Sequence, residues 1–344
     1  MYLEKLYNDI LSKYDVTFVT DFYIRPERLA IYYQNKVIAV PEIEYSRDIY
    51  NKILEELITI YKRVEDVDIK NLKNRISKKS LNFASTINNI RTRVHIFLSA
   101  DRIIGVLRLL DRPIMPLDTI GFSQFDIEKI TLKEKGLILI SGPTGSGKTT
   151  TATSLVEWYN VNKEFHIISV EDPIEYLMQD KKSIVHQKEV RVDVPSFAMA
   201  LTDTLREKAH LIFVGEIISS EAADLAFQTS STGQLVISTI HAGNSIETIE
   251  RFIGLFDRKF QELIRKNLSE FLNCIINQRL VFIDNKPLLL YEILMADLSV
   301  KATLRQAAAS LTLLEDSLLR QKQTPIEKQI KMKQEEAEKN KIKS

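Results

Sequence analysis

Cysteine is almost absent from this chain: Cys274 stands alone among 344 residues. One thiol excludes an internal disulfide and any multi-cysteine zinc site. Its setting, Phe271-Leu272-Asn273-Cys274-Ile275-Ile276, predicts a buried and inert side chain. An excess of either charge is missing as well. Lys and Arg number 47 against 46 Asp and Glu, a net of +1, so nothing global draws the chain to nucleic acid or to a membrane surface. No run approaches the uncharged apolar length that a membrane span needs. The N-terminus, Met1-Tyr2-Leu3-Glu4-Lys5, shows no apolar core of a secretory signal. The expectation is a cytoplasmic, soluble protein with no nucleic-acid partner and no direct membrane insertion. Contact with a membrane machine would then need a partner.

Glycine is scarce too, and unevenly placed. Of ten glycines, only Gly105 precedes residue 121, yet Gly142, Gly145 and Gly147 fall within eight residues. That stretch, Gly142-Pro143-Thr144-Gly145-Ser146-Gly147-Lys148-Thr149, fits the phosphate-binding pattern G-x-x-x-x-G-K-[ST]. A chain of average composition and this length meets the pattern by chance on the order of once in a hundred. Its flanks are also right: the apolar run Gly136-Leu137-Ile138-Leu139-Ile140-Ser141 before it and a helix-like stretch from Thr150 to Tyr159 after it. Glycines let backbone N–H groups close around a polyphosphate, and the following helix adds its positive end. Lys148 can reach the β and γ phosphates, and Thr149 can place a hydroxyl on Mg²⁺. ATP with Mg²⁺ is the expected ligand pair, held by residues 142–149 and Thr150.

The rest of the chain divides by pattern. Residues 1–110 alternate strand-like and helix-like segments and read as an α+β domain. Asp111-Arg112-Pro113-Ile114-Met115-Pro116 holds two prolines and little periodicity, so 111–121 reads as a linker. From 122 to 310 strands and helices alternate, which predicts an α/β domain with a mostly parallel sheet. Residues 311–344 end in a lysine- and glutamate-rich run and read as a helical or disordered tail.

Three further strand-like runs end in polar residues. His166–Val170 leads into Glu171-Asp172-Pro173-Ile174-Glu175, Leu211–Val214 into Gly215-Glu216, and Leu235–Ile240 into His241. Side chains at the carboxyl end of a parallel strand point into the ligand crevice. Glu171 and Glu175 could orient a water or ligate Mg²⁺; alone, they could equally form a solvated acidic turn. Glu216 suits an acid acting on Mg²⁺ or water. A lone strand-end histidine is often structural, but His241 has three polar strand ends for company. Asn244-Ser245-Ile246-Glu247 reads as a capping box opening the next helix.

These motifs, in this order, resemble the Walker A, Asp-box, Walker B and His-box motifs of the type II/IV secretion ATPase superfamily. The likeness covers roughly residues 90–305. It extends to Val185-His186-Gln187-Lys188-Glu189-Val190, to Asn277-Gln278-Arg279-Leu280-Val281 and to Tyr291-Glu292-Ile293-Leu294. It also reaches Arg93 and Arg108, which match the two arginine-bearing strands whose guanidinium groups meet nucleotide phosphates in the family. Departures are local. His210 stands where an acid is usual, Gln234 replaces the first His-box histidine, and Ile217-Ile218-Ser219 follow Glu216 where the family has an apolar residue and then Arg-Asp.

The resemblance implies an α/β fold, a P-loop (RecA-like) ATPase domain with a mostly parallel sheet, preceded by a smaller α+β (PAS-like) domain. It implies catalytic roles for Glu171, Glu175, Glu216, His241, Arg93 and Arg108, and Mg²⁺ ligation by Thr149 and Glu216. One cysteine cannot make the four-cysteine zinc insert of the assembly and type II secretion motors. The nearest subgroup is therefore the type IV pilus retraction ATPases of twitching motility. Membership implies a homo-hexamer and an inner-membrane pilus platform protein as partner. Two other readings stay open: an ATPase of another secretion, conjugation or pilus-assembly machine, and a weakly active nucleotide-binding regulatory paralogue.

Overall fold

A computed structural model of the chain describes every residue except 16–17, 35, 63–75, 77–79, 111–112, 284–285, 307–310 and 344. Asp111 and Arg112 of the expected linker thus lie outside the described residues. The chain forms two compact units. One is Met1–Pro113 together with Pro173–Tyr176; the other is Ile114–Asp172 with Leu177–Ser344.

The first unit carries helix α1 (Tyr2–Leu11), strands β1 (Val19–Ile24), β2 (Leu29–Tyr33) and β3 (Lys36–Ala39), helix α2 (Arg47–Lys62), then β4 (Leu81–Ile87), β5 (Ile90–Ser99) and β6 (Arg102–Leu109). Its six strands run in the order β3-β2-β1-β6-β5-β4, and every neighbouring pair is antiparallel. One face is apolar. Phe22, Ile24, Ile31, Val94, Ile96 and Leu107 pack against Leu3, Tyr7 and Ile10 of α1 and Ile53, Leu57 and Ile58 of α2. The two helices are also tied by polar groups. Glu56 of α2 accepts from the backbone N–H groups of Tyr2 and Leu3, at 2.8 and 2.9 Å, which have no acceptor inside their own helix.

The second unit carries α3 (Gln124–Thr131), β7 (Gly136–Ser141), α4 (Lys148–Asn162), β8 (His166–Glu171), β9 (Ile184–Glu189), α5 (Phe197–Thr204), β10 (Leu211–Val214), α6 (Ser220–Ser231), β11 (Leu235–Ile240) and α7 (Ser245–Gly254). It continues through α8 (Gln261–Phe271), the hairpin β12 (Leu272–Ile283) and β13 (Lys286–Met295), α9 (Leu298–Arg305), α10 (Leu311–Arg320) and α11 (Ile326–Lys343). Seven strands lie in the order β13-β12-β7-β11-β10-β8-β9. Neighbours are parallel except in the β12–β13 hairpin.

Period-two alternation makes this sheet the middle of a three-layer unit. Leu137, Leu139, Ile212, Val214 and Val236 face a layer that includes α6, α7, α8, α9 and α10. Their alternates Ile138, Ile140, Leu211, Phe213 and Ile237 face α3 and α4. Because β7, β8, β10 and β11 are parallel, Ser141, Glu171, Val214 and Ile240 all end on one edge. Residues 311–320, expected as the start of a tail, form α10, whose Leu314 and Leu318 are buried in the first of these layers. The pair is spaced i, i+4, one face of a helix. No helix among the described residues is long and apolar enough to cross a membrane.

Cys274 sits on β12, beside Ile138 of β7 and Met295 of β13. Complete burial pushes its thiol up to about 12 from an ordinary 9. The neutral thiol therefore favours the fold fully below pH 9, and that contribution is lost as pH rises from 9 toward 12. Expected outcome: a colorimetric thiol reagent at about pH 8 leaves the native chain unlabelled while the denatured chain reacts fully. Prompt labelling of the native chain would show that the site opens.

Candidate functional site

Strand β7 delivers the chain into the glycine loop, and α4 takes it away. Gly142 (φ +151), Gly145 (φ +77) and Gly147 (φ +86) all have positive φ. At Gly142 there is also no room. A Cβ there would stand 2.4 Å from both the Gln278 carbonyl oxygen and Ser146 Oγ. Pro143, Thr144 and Gly145 form the exposed crest, whereas Ser146 and Lys148 are buried beneath it. Helix α4 opens at Gly147 with no side-chain cap and no acidic residue in its first turn. By contrast α3, α5, α6, α7 and α9 are capped by Ser123, Ser196, Ser219, Asn244 and Asp297. Thr149 and Thr150 lie half-buried in that uncapped first turn.

Lys148 is 8% exposed. Its ammonium donates to the carbonyls of Gly142 (3.1 Å) and Pro143 (3.0 Å) and faces His241 Nδ1 at 3.3 Å. His241 Nε2 in turn lies 2.9 Å from Glu216 Oε1. This geometry calls for the Nε2–H tautomer, with Nδ1 accepting from the lysine. Burial lowers the pKa of Lys148; Glu216 opposes that shift and Arg279 adds to it. The three residues thus come from α4, the end of β11 and the loop after β10, and form one line of hydrogen bonds. The adjacency of β7, β11 and β10 brings them together.

Glu171 ends β8 and is 3% exposed. Its Oε1 accepts from Gln187 Nε2 of β9 at 3.3 Å. Gly215 lies against it, where a Cβ would come 3.4 Å from Glu171 Cα. Asp172 pairs with Arg191. Glu175 belongs to Pro173–Tyr176, the segment that groups with the first unit. Within that unit the Ile174 carbonyl accepts from Arg91 Nε at 3.3 Å.

Arg93 and Arg108 are direct cross-strand partners on β5 and β6. Arg108 Nε donates to Asp21 Oδ1 at 2.8 Å, and Asp21 is itself buried. Arg93 Nε donates to the neutral Asn82 amide oxygen at 3.2 Å.

Three residues of β12, not picked out as site residues from the sequence, hold the glycine loop and the loop that carries His241. Gln278 Nε2 donates to the Ser146 carbonyl at 2.6 Å. Arg279 Nη2 donates to the Gly243 carbonyl at 2.7 Å. Asn277 Nδ2 donates to Ser141 Oγ at 2.9 Å and to the Ala242 carbonyl at 3.3 Å. The available signal was a polar triplet, Asn277-Gln278-Arg279, inside a strand otherwise apolar but for Asn273. Its meaning required knowing that β12 lies beside β7, with Asn277 opposite Ser141.

The donor set fits a polyphosphate. A buried ammonium, an uncapped helix start and a glycine cradle face the same loop, and among the described residues the buried Ser146 Oγ has no hydrogen-bond partner. Among the described residues no group of three or more His, Cys, Asp or Glu could hold a metal by itself. Mg²⁺ needs no such cage, since it is commonly held by one or two protein oxygens plus phosphates and water; Thr149 and Glu216 are of that kind.

The family pattern described as Type II/IV secretion system protein matches residues 46–334. A twitching motility protein of Neisseria gonorrhoeae is 33% identical over 229 residues, 66% of this chain and 61% of that protein. The type IV pilus retractation ATPase PilT of Pseudomonas aeruginosa is 35% identical over 191 residues, 56% of this chain and 55% of its own length. The chain therefore spans less than two thirds of these curated relatives. Among solved structures, the pilus retraction motor PilT with bound ADP superposes at a TM-score of 0.79 and 30% identity, covering 94% of this chain and 90% of that one. The reach of the family match over residues 46–334, with a structural likeness across 94% of the chain, makes this protein a member of the Type II/IV secretion system protein family.

Proposed function

We propose that this chain is an ATP-hydrolysing motor of the type IV pilus retraction kind, working as a cytoplasmic homo-hexamer against an inner-membrane platform protein. The observation that carries the reading is the line Lys148–His241–Glu216 at the mouth of the glycine loop. The line joins the loop to the ends of two neighbouring strands. A residue in each position is what a phosphate-cleaving site needs: a cation for the β and γ phosphates, an acid for Mg²⁺ or water, and a group linking them. Similarity to PilT supports the retraction role.

Each residue then has a task. On binding ATP, the Lys148 ammonium exchanges two backbone carbonyls for phosphate oxygens. Burial has already stripped it of water, so a phosphate charge is worth more to it than it would be in solution. Thr149 and Glu216 would hold Mg²⁺, which would supply charge neutralisation at the phosphates. Glu171 or Glu175 orients the attacking water. His241, released by Lys148, keeps its Nε2–H bond to Glu216 and so holds that carboxylate in place. Arg93 and Arg108 supply further positive charge at turnover, where a planar guanidinium fork suits phosphate better than an ammonium.

A second reading, a weakly active regulatory paralogue, is favoured by one specific departure. After Glu216 the apolar position is kept by buried Ile217, whose N–H bonds the Thr239 carbonyl at 2.9 Å. Ser219 keeps the helix-capping role that an Asp would have, accepting from Ala222 N. The loss therefore falls on Ile218 alone, 67% exposed where the family carries arginine. Steady-state ATPase activity of the purified chain decides between the two readings.

Lys148→Ala is expected to weaken Mg²⁺-dependent ATP binding at least ~10-fold, about 1.4 kcal/mol. Gly142→Ala is expected to do the same for a steric reason. Isothermal titration with ATP measures both, and wild-type affinity in Lys148→Ala would rule out the assigned site. Glu171→Gln, Glu175→Gln and Glu216→Gln should leave ATP bound within a few-fold. At least one should lower turnover by ~100-fold, the scale of a lost general base. Normal hydrolysis by all three would place the chemistry elsewhere.

The arginines need a different control, because Arg108 also neutralises buried Asp21. Arg108→Lys keeps that ion pair and loses the fork. Together with Arg93→Ala it is expected to cut turnover ~10-fold or more with little change in affinity. Unchanged turnover in both variants would leave Arg93 an ordinary strand residue and Arg108 the partner of Asp21 alone.

A further inference from the structure

Glu292, on β13, is a carboxylate only 1% exposed, and none of the steps above uses it. Its two oxygens accept from two backbone N–H groups far apart in sequence: Oε1 from Ser245 at 2.8 Å and Oε2 from Ile326 at 2.7 Å. Each donor is the first residue of a helix, α7 and α11. Such N–H groups have no acceptor within their helix. Nearby caps do not replace Glu292. Asn244 Oδ1 already serves Ile246 and Glu247, and Pro325, ahead of α11, has no side-chain acceptor. One buried charge therefore closes two helix starts, and both positive helix ends favour it.

The first of these helices leaves directly from the His241 loop, residues 241–244. Its opening turn is also bonded to the base of the glycine loop, through Thr248 Oγ1 and Ser141 Oγ at 2.7 Å. The second helix is the last of the chain. It is seated by Gln329 Nε2 on the Tyr291 carbonyl at 2.7 Å, next to Glu292 in sequence. Glu327 Oε1 accepts from Asn244 Nδ2, the α7 cap, at 3.3 Å. Two separate links thus join the start of α11 to the start of α7.

We propose that Glu292 is a positioning residue through which the docking of the C-terminal helix sets the His241 loop. This inference rests on the ATP-hydrolysis reading given above. When α11 leaves its seat, buried Glu292 loses one of its two donors, and Asn244 loses Glu327. The first turn of α7 is then less firmly held, and His241 with it. The coupling is reciprocal by linkage: a change at the His241 loop on nucleotide binding alters how firmly α11 is seated.

Glu292→Gln tests this with little change of shape. An amide has one acceptor oxygen and one donor end, so only one of the two N–H groups keeps a partner. Gln329→Ala and Glu327→Ala loosen α11 without touching Lys148, His241 or Glu216. ATP affinity, kcat, KM and backbone hydrogen exchange are measured on the full chain. Glu292→Gln is expected to lower kcat ~10-fold, the scale of losing an outer support, with ATP affinity changed less than ~3-fold. Exchange should rise at both 245–248 and 326–329. The two α11 variants should move kcat the same way, and ATP should change exchange at 326–329 in the wild type.

Wild-type kcat in the α11 variants, or faster exchange at 326–329 alone in Glu292→Gln, would overturn the proposal. Should Glu292→Gln fail to fold, the α11 variants decide it. A wild-type chain that binds no ATP would defeat the functional reading instead. The exchange comparison would still decide whether α7 and α11 are joined.

Discussion

Burial of the parallel sheet on both faces governs the second unit. Its central strands β7, β10 and β11 are lined on each side by helices, and their interior side chains have essentially no exposure. Such a strand can hold a polar side chain only where a partner is guaranteed. Ser238 Oγ finds the Val214 carbonyl and Thr239 Oγ1 the Gly215 carbonyl, each at 2.7 Å. All larger polar groups on these strands are pushed to the ends, and parallel topology gathers those ends on one edge. The glycine loop, Glu171, Glu216 and His241 are neighbours for that reason. The same bonds from Ser238 and Thr239 fix the backbone that carries Glu216, so the sheet's solution to buried polarity also sets the site's geometry.

What could be read from the sequence follows from how local each feature is. The glycine loop is local, since eight consecutive residues and two flanks suffice. Strand-end acids and His241 are nearly as legible, because an apolar run that stops in a polar residue marks its own boundary. The supports are not local. Gln278 reaches Ser146 across 132 residues of chain and Arg108 reaches Asp21 across 87. Nothing in the neighbourhood of either residue announces the partner. Strand order, β12-β7-β11 in one sheet and β1-β6 in the other, is the missing knowledge, and it depends on packing within each unit.

The C-terminal stretch is hard to read locally for a different reason. Composition is dominated by the lysines and glutamates after residue 326, which describe a solvated helix. Upstream, Leu314 and Leu318 supply an apolar stripe, and Ile326 is also fully buried. Two leucines one turn apart are too few to stand out against the charge that follows. In sequence Glu292 is one acid within Tyr291-Glu292-Ile293-Leu294, a strand that resembles the family's C-terminal sheet. A single acid in a hydrophobic strand is a costly residue to bury, and its cost is met here by helix starts at 245 and 326 that the strand itself cannot reveal.

The first unit carries an electrostatic feature of the same kind. Arg93 and Arg108 stand directly opposite on adjacent strands, an arrangement of like charges that disfavours pairing. Buried Asp21 neutralises one of them. Among the described residues, Arg93 meets a neutral amide rather than an acid. The pair therefore carries more positive charge than its surroundings balance. A surplus of that kind is what the phosphate-meeting role proposed for the two arginines would require.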